Sequence, residues 1–136
     1  EDNVIINKKL IKIRSYSLNW NVGWKDSISD AGPSKIYKKA DAISSPSQLL
    51  TFIDVNSDSI CWTFFGIRKD SIFMYPATYH NKTSTISFLD GHIISRKWRT
   101  DALLYPQPVG ASFHNHRELA KGNIDLTWLT ENSQNP

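Results

Sequence analysis

The chain has 136 residues, room for one domain and not comfortably for two. Hydrophobic residues make up 40% and aromatics 12%, with five Trp, which excludes global disorder, and no apolar run reaches the roughly 18 residues that cross a bilayer. Sixteen Lys and Arg against thirteen Asp and Glu leave a net charge of +3, too mild and too dispersed to point to nucleic acid.

The chain opens on Glu1-Asp2 instead of Met, without the basic and then apolar stretches of a signal peptide, and reads as a domain cut from something longer. Residues 4–14 mix Ile with Lys in loose alternation and predict a strand or extended arm. Residues 19–30 form a Trp-, Gly- and Asp-bearing loop. Pro33 suits a first helical position, so residues 33–40 predict a short helix, broken by Ser44-Ser45-Pro46-Ser47. From Gln48 the character is β. Short apolar runs at 49–55, 60–67 and 71–75, then 83–89 and 92–98, are divided by polar turns. Pro106 and Pro108 mark loop, residues 114–121 predict a helical turn, and 124–129 a short closing segment. The expected fold class is α+β: mostly antiparallel β-sheet with short helices, in a single domain over residues 1–136. Cys61 stands alone, so no disulfide forms within the chain and no cysteine zinc site exists; a buried, inert thiol is its ordinary use.

Asp90-Gly91 between two β runs is a strong hairpin signal for a two-residue type I′ turn, in which both positions take positive φ. That turn pairs Leu89 with His92, Phe88 with Ile93 and Ile86 with Ser95, and turns Ile86, Phe88 and Ile93 to one inward face. His80 and Asp90 then lie about 20–30 Å apart along an extended strand, too far for a dyad within it. His80 falls at the hairpin's open end, where the register brings Asp101 near it if the ladder extends that far.

His80, nine intervening residues and then Asp90-Gly91-His92, with Trp98 downstream, resembles the H-x9-DG motif of bacterial prepilin-type proteins. Tyr79 stands where that family commonly has Arg. Three further segments, in the same order, are similar to family segments: Ser15-Tyr16 with Asn19, Pro46-Ser47 followed by an apolar strand ending in Asp54, and Asp125-Leu126 with Trp128-Leu129. The resemblance spans residues 15 to 129. It implies a pilin- or pseudopilin-like globular head, similar in layout to the major pseudopilin of type II secretion. The long N-terminal helix that anchors such proteins in the membrane is missing from these residues. The implied function is a non-enzymatic structural subunit at the cell envelope or its extracellular side, with other pilin-like subunits or secretion components as partners. A carbohydrate- or ligand-binding module is the alternative, with Trp20, Trp24 and Tyr105 as aromatics that could stack on sugars.

Asp54, Asn56 and Asp58 carry oxygen ligands at alternate positions, as the opening of a calcium loop does. The sixth position is Ser59 where Gly is expected, and Phe65 stands where the closing Glu belongs. Calcium binding by pseudopilin heads makes these three candidates; a polar turn explains the same residues and is the preferred account, so no strong site is expected. His114 and His116 with Glu118 offer zinc only two alternating His and no Cys cluster. The basic run Arg96-Lys97-Trp98-Arg99 reads as a solvated strand end ahead of a phosphate site. His92 reads as a surface residue. No nucleophile elbow, phosphate loop or dinucleotide fingerprint is present, so neither enzyme nor cofactor is expected.

Overall fold

The computed structural model describes residues 15–22, 35–60, 63–67, 72–104 and 122–134. In chain order they form β1 (Tyr16–Asn19), β2 (Leu50–Asp54), β3 (Phe64–Phe65), β4 (Thr83–Phe88), β5 (Ile93–Lys97), α1 (Asp101–Leu104) and α2 (Ile124–Ser133). Short 3-10 turns cover Ala40–Ala42, Pro46–Gln48 and Ser57–Ser59. The five strands make one sheet in the order β3-β1-β2-β4-β5, antiparallel except for the β1–β3 pair. The fold is therefore mixed α+β, with short helices beside a mostly antiparallel sheet. Among the described residues no helix is long and apolar enough to cross a membrane.

β4 shows why the central strands form. Thr-Ser-Thr-Ile-Ser-Phe alternates, and Ser84, Ile86 and Phe88 are buried while Thr83, Thr85 and Ser87 are only partly covered. Ile86 lies beside Ile53 of β2 and Ile94 of β5, so one face of the sheet carries the apolar cluster. Leu126 and Leu129 of α2, Trp98, Phe65, Ile67, Ile72 and Met74 also belong to that core. The opposite face stays open: Tyr16, Phe52 (48% exposed) and Ile93 (67%) lie on it. In β2 the ladder slips between Leu50 and Phe52. Ser87 stitches the slip, its hydroxyl 2.9 Å from the Thr51 hydroxyl and accepting the Phe52 N–H.

Several expectations are corrected. The β4–β5 turn has three loop residues. Phe88 pairs with His92 through its N–H at 3.0 Å, and the Gly91 N–H donates to the Phe88 carbonyl at 3.0 Å. Gly91 has φ of +92°, whereas Asp90 is absent from the positive-φ positions. This is the three-residue hairpin with glycine in the left-handed position. Its extra residue shifts the register by one, so Ile86 faces Ile94, Thr85 faces Ser95, and Ile93 faces Ser87 on the open side. Ile93 is therefore exposed, not inward. Of the helix expected over 33–40 the structure describes residues 35–40, where Tyr37 bridges Val22, Lys39 is extended and a single 3-10 turn begins, covering Ala40–Ala42. Residues 72–75 hold only an isolated Ile67–Ile72 bridge instead of a strand. The closing segment is a ten-residue helix. Residues 4–14, Trp24, Cys61, Tyr105, His114, His116 and Glu118, for which the sequence set expectations, lie outside the described residues.

Candidate functional site at the motif hairpin

The motif hairpin is held from both ends by its own side chains. At its open end Asn81 and Lys82 both take left-handed backbone, φ of 52° and 64°, which side chains with a Cβ adopt at a cost. The Lys82 N–H donates to Thr78, and the Lys82 carbonyl accepts the Trp98 N–H at 2.9 Å. Behind this turn the buried Ser84 hydroxyl donates to the Ala77 carbonyl at 2.5 Å and accepts the Trp98 indole N–H at 2.8 Å. At the closed end the Asp90 carboxylate accepts the His92 backbone N–H at 3.2 Å and lies 2.6 Å from the His92 ring Nδ1. That side-chain hydrogen bond, with the backbone one, holds the Asp90 carboxyl below its ordinary range. The His92 ring stacks on Phe88, centroids 4.2 Å apart and nearly parallel.

His80 is exposed, and its carbonyl accepts the Thr83 N–H. The charge of His80 acts on Asp54 at the end of β2, and Asp101 opens α1. Burial raises the Asp54 carboxyl above its ordinary value, against a hydrogen bond from Ser15 and the charge of His80. His80 and Asp90 stay at opposite ends of β4, as their spacing requires.

A feature that sequence reasoning missed lies between β5 and α2. The fully buried Asp125 carboxylate accepts the backbone N–H groups of Arg99 and Thr100, both at 2.8 Å, and the Thr100 hydroxyl at 3.0 Å. Its other oxygen takes Arg96 Nη2 at 3.4 Å. The Arg96 guanidinium lies 3.8 Å above the Trp128 ring and 5.4 Å from that of Trp98, and the two indoles meet edge to face. Burial lowers the Arg96 pKa, and Asp125 opposes that shift. Asn123 caps α2, accepting the N–H groups of Asp125 and Leu126 at 3.0 Å, and its side-chain amide donates to Thr100. So Arg96, placed by sequence in a solvated basic run, is an internal ion pair on an aromatic floor. The only sequence signal was the Trp that recurs in both segments.

Along the β5 edge runs an open groove of about 620 Å³, lined by Lys82, Ile94, Ser95, Arg96, Lys97, Trp98 and Arg99. Its lining holds cations and no carboxylate.

The calcium candidates fall at the turn after β2. The Asn56 amide oxygen accepts the Tyr79 hydroxyl at 3.2 Å, and the Ser59 hydroxyl donates to the Asn56 carbonyl while accepting the Tyr75 N–H. Asp54 ends β2, and the Asp58 side chain lies outside the described residues. Among the described residues no three His, Cys, Asp or Glu side chains converge as a metal site. Asn56 and Ser59 thus serve the turn. Trp20 is buried, 6% exposed, and tilted against Phe73 at 5.1 Å, so it offers no face to a sugar.

Asn19 joins three parts of the fold. Its amide donates to the carbonyls of Leu50 at 2.9 Å and Ser133 at 3.0 Å, and its oxygen accepts the Asn21 N–H. Comparison with family models, curated proteins and solved structures finds no match.

Proposed function

We propose that the chain is a non-enzymatic, pilin- or pseudopilin-like structural subunit of a cell-surface or secretion-associated assembly. In this reading it is the globular head, carried at the cell envelope on a membrane-anchoring N-terminal helix and meeting other pilin-like subunits or secretion components. One observation carries it. Apart from exposed His80, the residues that make the resemblance are taken up in holding the chain's own fold: Asn19 ties β1 to β2 and α2, Trp98 bonds Ser84, Asp90 and Gly91 shape the turn, and Asp125 fixes α2 to the end of β5. A framework role for such a set is what a rigid assembly unit needs.

The test uses the complete gene product in its own cells. Cleavage by a prepilin-type peptidase, with recovery in envelope complexes that site-directed cross-links join head to head, supports the reading. A product that is neither processed nor envelope-associated overturns it. So does a turnover that His80→Ala abolishes while circular dichroism and melting temperature stay unchanged.

A further inference from the structure

In an antiparallel ladder alternate residues turn their backbone N–H and C=O groups to the partner strand, and those between turn away. Phe88 with His92 and Lys82 with Trp98 are hydrogen-bonded pairs at the two ends of the β4–β5 ladder. By that alternation Ile93, Ser95 and Lys97 direct their N–H and C=O groups outward, and no described residue takes them. Among the described residues β5 is the last strand of the sheet, and the groove follows residues 94–99 along its edge.

Charge selects what this edge can receive. Arg96 is compensated by Asp125, which leaves Lys82, Lys97 and Arg99 with no ion pair among the described residues. All three line the groove, while exposed Ile93, outside its lining, opens β5 beside the turn. Lysine on an edge strand ordinarily guards against unwanted pairing. A second copy pairing along the same ribbon would set its own uncompensated Lys97 and Arg99 against these, with only the His92-engaged Asp90 of its turn to meet them. A strand with carboxylates would reverse that repulsion. Lys82, whose carbonyl takes the Trp98 N–H, also lines the groove and adds a cation to it from the β4 side.

We infer that the β5 edge binds an extended, acidic peptide segment of a partner protein, which adds to the sheet as a sixth strand with its carboxylates at Lys82, Lys97 and Arg99. Main-chain hydrogen bonds from Ile93, Ser95 and Lys97 hold the strand, and the cations set its composition and direction. This does not depend on the pilin-like reading, because any acidic strand of the right pattern suffices.

The test titrates the isotope-labelled full chain with a blocked hexapeptide alternating Val or Thr with Glu, followed by backbone NMR. Saturable shifts centred on the amides of Ile93, Ser95 and Lys97 are expected, weakening as salt rises. A twin peptide N-methylated at alternate positions should fail to bind. Lys97→Glu should weaken binding about tenfold. Ser95→Pro removes one outward N–H at a position where an edge strand accepts proline, and should abolish binding with the fold retained. Equal affinity of the N-methylated twin overturns the proposal, as does undiminished binding in Lys97→Glu. Inorganic polyphosphate that saturates the same residues more tightly than the peptide would also overturn it, in favour of an oxyanion site.

Discussion

The side-chain amide of Asn19 donates to the carbonyl of Ser133 at 3.0 Å, across 114 positions of chain. The same amide holds Leu50, so a single buried side chain fastens the first described strand to the second and to the last turn of α2. Asn19→Ala would leave two carbonyls and the Asn21 N–H without their partner in the interior. The expected loss is about 3 kcal/mol of unfolding free energy, measured by urea denaturation. A loss below about 1 kcal/mol would show that water replaces the bonds.

Asp125→Ala should be costlier. It strips the Arg99 and Thr100 N–H groups of their acceptor and leaves Arg96 charged and mostly buried without a counter-ion. A destabilisation of about 3–5 kcal/mol is expected. Loss of the far-ultraviolet helix signal before the main transition would locate the damage in α2, and a simple two-state shift would show that α2 unfolds with the sheet.

Two glycines should respond differently. A Cβ on Gly66 would stand 2.6 Å from Phe73 and 2.8 Å from Trp20, both in packed rings. Gly91 has open space around it, but its φ of +92° suits glycine. Gly91→Ala should cost about 1 kcal/mol. Gly66→Ala should cost more, about 1–3 kcal/mol, because the rings must move. Melting temperatures that rank the other way would refute the close packing at Gly66.

The two perturbed carboxyls predict opposite pH behaviour. Asp90 lies below its usual value of 3.8, so its interaction with His92 stabilises the fold above that pH and is lost as pH falls through the lowered value. Carbon-detected NMR should find Asp90 titrating below 3.8, and moving up towards it in His92→Ala. Asp54 lies above 3.8, so its ionised form costs stability at neutral pH and the cost is relieved on acidification. Asp54→Asn should therefore melt higher than the parent at pH 7, with the difference vanishing below 3.8.

Thr83 to Phe88 is legible in sequence because period two coincides with burial on one face. The length of the following loop is not, since Asp-Gly serves both the two-residue turn and the three-residue turn with left-handed Gly, and one residue decides which side Ile93 faces. α2 is hidden by alternation of Ile124, Leu126 and Trp128, a strand-like pattern overruled by the Asn123 cap and the docking of Leu126 and Leu129 on the core. β3 is two residues long and exists through pairing with β1, far away in the chain. The role of Arg96 is likewise non-local: nothing adjacent to it announces a carboxylate 29 positions on.

The position of β1 has a mechanical consequence. It lies inside the sheet, antiparallel to β2 on one side and parallel to β3 on the other. A pull transmitted through the residues ahead of Tyr16 therefore loads two ladders in shear at once, instead of peeling an outer strand bond by bond. Asn19 passes part of that load to Ser133, so α2 shares it. A domain pulled from that side would resist traction through the strand nearest the load.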